Sequence, residues 1–128
     1  MQVLDFDGCC TVAGEGELLA RLRSVRRGPD GAFILSHGGE ASLWLHVSGE
    51  AAFLSFFPDK DGTHPGFVPD GMWAGEKRTV RFLLVGGDEG SAIRVPWWQL
   101  VPVEVASGAA VEFLRSPTLP PSVRWSEL

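Results

Sequence analysis

Two kinds of apolar period run along the chain, and their order outlines a fold. Over residues 41–47, Leu43, Leu45 and Val47 fall on one side and Ser42, Trp44 and His46 on the other, as in a strand with one buried face. Ser48-Gly49-Glu50 supplies a short glycine-containing turn, and Ala-Ala-Phe-Leu-Ser-Phe-Phe at 51–57 returns as a second strand. Residues 41–57 are therefore predicted to be a hairpin.

The hairpin runs into residues 58–73, which carry three prolines and three glycines. That content predicts a long loop that cannot continue the sheet. The loop displays Phe67, Met72 and Trp73 among Asp59, Asp61 and Asp70, with His64 between them. Long loops without structure of their own are uncommon in small domains and are usually functional or disordered. Aromatic side chains beside carboxylates favour function.

Either side of this block the period changes. Residues 2–6 alternate as a short first strand. Leu18, Leu22 and Val25, with Leu19 alongside, recur at helical spacing. Glu15 and Glu17 near the start and Arg26 and Arg27 at the end suit the helix dipole, and Gly28-Pro29 gives a stop. Residues 32–36 form a compact apolar strand. Residues 78–85 predict another, with Val80, Phe82 and Leu84 on one side, and Gly86-Gly87-Asp88-Glu89-Gly90 then breaks the chain. Residues 92–95 read as a last edge strand ended by Pro96, whereas 97–101 have no clear period.

Pro102 suits the first turn of a second helix, in which Val103, Ala106, Ala110, Phe113 and Leu114 form the stripe. Ser116-Pro117 ends it, and the tail is extended, anchored by Val123 and Trp125. Consecutive strands with short turns make an antiparallel meander, and two amphipathic helices cover only one of its faces. The predicted class is α+β, in one domain spanning 1–128. Trp44 and His46 then lie on the other face, either uncovered or packed under the long loop.

Composition adds the surface chemistry. A hydrophobic share of 45% with 21% charged residues is ordinary for a globular protein. The net charge of −5 and isoelectric point near 5.1 argue against nucleic acid and suit a basic partner. The arginines at 21, 23, 26 and 27 are explained by the helix end. No stretch is long and apolar enough for a bilayer, and the first residues lack a basic and then apolar leader pattern. Cysteine occurs only as Cys9-Cys10, so the expected setting is the reducing cytoplasm.

Signatures of catalysis are missing from the sequence. His37, His46 and His64 have no partners at metal-ligand spacing. The Gly86–Gly90 run lacks the lysine of a phosphate loop, and neither a Gly-x-Ser-x-Gly elbow nor the zinc deaminase pattern occurs. Asp59-Lys60-Asp61-Gly62 matches half of a calcium loop without its later glutamate. The expectation is a protein that is not an enzyme and needs no cofactor or metal.

Several segments together resemble the first-numbered immunity protein family of bacterial polymorphic toxin systems. They are Leu4-Asp5-Phe6-Asp7-Gly8, the helix ending Arg26-Arg27-Gly28-Pro29, the strand-hairpin block, and the loop with His64-Pro65-Gly66-Phe67. They also include the helix carrying Ala106, Ala110 and Glu112-Phe113-Leu114, and the ending Val123-Arg124-Trp125-Ser126-Glu127-Leu128. The chain departs from the pattern at Trp97-Trp98 and in its proline-rich loop.

The resemblance implies a small cytoplasmic α+β protein that neutralises a toxin in a one-to-one complex. Such toxins often have the deaminase fold and include enzymes acting on cytosine in DNA. Under that reading the acidic loop covers the toxin's basic active site or substrate groove, with Asp59, Asp61, His64, Phe67, Asp70, Met72, Trp73, Trp44 and His46 as contact residues. Two other functions fit the residues: a sensor with a ligand pocket between sheet and loop, and a subunit that self-associates through the Trp44 face.

Overall fold

A computed structural model describes residues 1–60, 63–71, 79–85 and 92–128. Its centre is the predicted hairpin. β4 (Ser42–Ser48) and β5 (Ala51–Phe57) pair antiparallel from Ser42↔Phe57 to Ser48↔Ala51, leaving Gly49 and Glu50 as the turn. Gly49 takes φ +62 there, a left-handed conformation that glycine adopts without steric cost. β3 (Asp30–Ser36) pairs along the whole length of β4, and β1 (Gln2–Asp5) continues the sheet beside β3. Outside β1 lies β2 (Gly8–Thr11), which its glycine and cysteine pair did not suggest.

One face of this sheet carries Phe33, Leu35, Leu43, Leu45, Val47, Leu54 and Phe56, all buried. Over it lie α1 (Glu15–Ser24), which contributes Leu18 and Leu22, and α2 (Val103–Arg115), which contributes Ala106, Ala109, Ala110 and Phe113. Each large apolar side chain fully buried here contributes roughly 1.5–3 kcal/mol. The α+β class with two helices on one face is thus observed.

α1 is shorter than its sequence period. Val25 leaves the helix at φ −88, ψ 93 yet remains buried, so Arg21 and Arg23, and not Arg26 and Arg27, occupy the last turn. Arg21 reaches back to β1. Its Nε and Nη2 donate to both oxygens of the buried Asp5 carboxylate at 2.7 and 2.9 Å, a bidentate pair tying helix to sheet.

The opposite face is covered differently from the expectation. β7 (Thr79–Leu83) and β8 (Ala92–Pro96) form a separate two-stranded sheet, so residues 92–95 are not an edge of the meander. The hairpin instead lies across β3 and β4. Its Phe82 and Val95 join Ala51, Phe53, Val68 and Leu100 in a second buried cluster. Phe82 and Val95 share one side because their cross-strand partners, Ile93 and Val80, lie on that side too.

The long loop also departs from its expectation, because it re-enters the sheet. β6 (Phe67–Pro69) sits between β5 and β10 (Trp125–Glu127), giving the order β10-β6-β5-β4-β3-β1-β2. Proline is tolerated because β6 is short and meets β5 at the single pair Phe56↔Phe67, while Pro69 is its last residue. A 3-10 turn at Trp97–Gln99 and the short β9 (Val101–Pro102), paired with β5, lead into α2.

Candidate interaction surface

The sheet end formed by β6 and β10 gathers most of the describable contact residues. The extended tail closes on the loop through backbone bonds: Asp70 N–H donates to Arg124 O at 2.8 Å and Leu128 N–H to Gly66 O at 3.0 Å. Side chains reinforce both. His64 Nδ1 accepts from Gly66 N–H at 2.8 Å, which leaves the ring proton on Nε2 to be donated to Glu127 Oε1, also at 2.8 Å. Ser126 Oγ donates to the Asp70 carboxylate. Thr63 Oγ1 donates to Asp59 Oδ2 at 2.9 Å, while Asp59 Oδ1 is buried with no partner among the described residues.

Gly66 has φ +98, and a Cβ there would lie 2.9 Å from the Phe57 ring. Glycine is what allows the loop to approach β5 this closely. Phe67 folds inward: its ring stacks on His64 (5.1 Å, 10°) and tilts against Phe56 at 6.0 Å. It holds the loop in place, as does Trp125, whose Nε1–H donates to Pro120 O at 2.8 Å.

On β4 the two predicted contact residues part company. Trp44 is half-buried, edge-on to Phe57 at 5.4 Å, and donates from Nε1 to Ser42 Oγ at 3.1 Å. It borders the strand end from which the Asp59 segment leaves. His46 is only 3% exposed. It stacks on Phe53 in the region the β7–β8 hairpin overlies, so it presents nothing to a partner and is withdrawn as a contact residue. Burial pushes its imidazole down to about 4, and its Nδ1 has no hydrogen-bond partner among the described residues. Asp61, Met72 and Trp73 lie outside the described residues.

Trp98 is the contact candidate that the sequence reading passed over. It is 55% exposed, an unusual state for tryptophan. Its backbone abuts Gly71, where a Cβ would run into the Trp98 carbonyl. The exposed Asp70 therefore precedes a residue in direct contact with Trp98. Trp98 had left a faint signal: two adjacent tryptophans follow a proline in a stretch without helical or strand period.

The acidic and exposed aromatic members of this region are Asp59, Asp70, Glu127 and Trp98, and the cations near them in sequence include Lys60, Arg94 and Arg124. Among the described residues no group of three or more His, Cys, Asp or Glu side chains is placed to hold a metal ion, and no helix is long and apolar enough to cross a membrane. Compared with known proteins, the chain matches no family model and no curated protein.

Proposed function

We propose that the protein is an immunity protein that binds a cognate bacterial toxin, of the deaminase class, and occludes its active site or substrate groove. The observation that carries this reading is an exposed tryptophan, Trp98, whose backbone abuts Gly71, the residue that follows the exposed Asp70. Tryptophan is enriched among residues that dominate binding energy. A toxin that works on nucleic acid needs a positively charged groove for phosphate. Carboxylates around an apolar anchor complement such a groove and speed the encounter. The segment Val123–Leu128, part of the resemblance to the immunity proteins, supplies the strand that ties this surface together.

Calorimetry against the toxin domain encoded beside the gene tests the proposal. Saturable one-to-one binding, weakened by added salt, is expected. Trp98→Ala should weaken it at least about 30-fold, the equivalent of about 2 kcal/mol. Asp59→Asn with Asp70→Asn should slow association more than it speeds release. If the neighbouring product has no affinity for the protein, or if the purified protein turns over a substrate, the reading fails.

A further inference from the structure

The main sheet ends on β10, and the hydrogen bonds that strand makes to β6 fix which of its backbone groups remain over. In an antiparallel pair, alternate residues turn their N–H and C=O toward the partner strand. Asp70 N–H donates to Arg124 O and Leu128 N–H to Gly66 O, in the register that sets Ser126 opposite Val68. Arg124, Ser126 and Leu128 therefore face β6. Trp125 and Glu127 turn their N–H and C=O the other way, to the outer side, where no further strand pairs with β10 among the described residues.

Side chains hold this edge extended from both of its faces. His64 bonds Glu127, Ser126 donates to the Asp70 carboxylate, and the Trp125 indole donates to Pro120 O. A segment already ordered in this way loses little more conformational entropy when another strand is laid against it. Residues 122–128 contain neither proline nor lysine, two residues that commonly guard a sheet edge against pairing. The charges that the strand does carry, Arg124 and Glu127, fall on opposite faces by the alternation of a strand.

We infer that an extended segment of the toxin adds to β10 as a further strand, an inference that rests on the toxin-binding reading above. The outward donors and acceptors of Trp125 and Glu127 repeat about 7 Å apart. Another extended backbone matches that spacing, whereas a helix, whose backbone groups are bonded internally, does not. Side chains add selectivity. Trp125 and Glu127 share one face, so the incoming strand carries an apolar residue opposite the first and a lysine or arginine opposite the second. The edge is also continuous with the proposed surface, since β6 lies beside β10 and runs on through Asp70 to Gly71 and its contact with Trp98. The other edge of the sheet, β2, stands at the far end of the strand order.

The full chain and the toxin domain encoded beside the gene are the materials for the test. In the free protein the Trp125 and Glu127 amides should exchange with solvent rapidly, and in the complex at least about tenfold more slowly. The Ser126 amide, turned toward β6, should be slow in both. Glu127→Pro removes one outward N–H and leaves the bonds to β6 in place, as an edge strand tolerates. It should weaken binding at least about tenfold, with the fold checked by circular dichroism and by protection of the Leu128 amide. Glu127→Gln keeps the N–H and should weaken binding no more than about fivefold. A complex in which Trp125 and Glu127 exchange as fast as in the free protein would overturn the inference and leave toxin binding standing. So would a folded Glu127→Pro variant that binds as tightly as Glu127→Gln. Failure of the parent to bind the toxin would overturn both readings together.

Discussion

Gly71 is pressed against Trp98: a Cβ at position 71 would run into the Trp98 backbone carbonyl. The approach joins the end of the β6 segment to the turn that follows the β7–β8 hairpin, and it brings the residue after Asp70 against the backbone of an exposed tryptophan.

Gly71→Ala should therefore separate the two segments. The expected cost is about 1–3 kcal/mol, as for an overpacked contact, read from the urea midpoint. Affinity for the proposed toxin partner should fall further than stability predicts, because the Trp98 segment moves relative to Asp70. A variant as stable as the parent with unchanged affinity would show that the contact is unimportant.

His46 makes the fold sensitive to acid. In the unfolded chain imidazole titrates near 6.5, whereas burial lowers the folded value to about 4. Between these values the unfolded state binds more protons. The stability contributed by neutral His46 is thus complete above pH 6.5 and lost as pH falls toward 4. The loss amounts to no more than about 3 kcal/mol. Urea midpoints compared near neutral pH and near about pH 4.5 should differ less in His46→Leu than in the parent. An identical pH slope would assign the acid sensitivity to other groups.

Phe82 is fully buried where the hairpin meets the sheet. Phe82→Ala should cost about 3–5 kcal/mol and loosen the layer that covers β3 and β4. Hydrogen exchange should then rise in β7 and β8 before it rises in β4. Simultaneous loss of protection throughout would mean that the hairpin and the main sheet unfold as one unit.

Asp5 and Arg21 predict an asymmetry among the arginines of α1. Removing Arg21 strands a buried carboxylate, which is strongly unfavourable. Thermal unfolding of Arg21→Leu should come well below that of Arg23→Leu, whose position is exposed. Arg21→Lys should recover part of the loss, since lysine keeps the charge but not the two-pronged geometry. Equal melting of the Arg21 and Arg23 variants would contradict the role given to this pair.

Trp125 anchors the tail. It is half-buried against Phe56, and its indole N–H is bonded to Pro120 O. Trp125→Ala should cost about 2 kcal/mol, below the range for a fully buried tryptophan. It should also free β10 and with it the His64–Glu127 and Asp70–Ser126 contacts. Proteolysis near the C-terminus at unchanged rate would argue against this anchoring.

How far the candidate surface could be read from sequence depends on the residue. Asp59, His64 and Asp70 stood out because carboxylates and a histidine in a glycine- and proline-rich stretch have no core to enter, and the structure brings them to one end of the sheet. Phe67 carried the same signal but turns inward, since its alternation within three residues is too short to orient a ring. His46 and Trp44 shared a face in the pattern. Their fates differ because the hairpin that covers one of them comes from more than thirty residues further along the chain.

The sequence by itself determined the central hairpin, the strand before it and the stripe of each helix. Each of these rests on a period of two or near 3.6 sustained over one or more turns or strand repeats, which local geometry converts directly into a buried side. Tertiary structure alone decided that β6 and β10 complete the sheet, that β7 and β8 form a separate layer, and that Trp98 rather than His46 faces outward. Those outcomes turn on which distant segment covers a given face, and a periodic pattern records only that a face is covered.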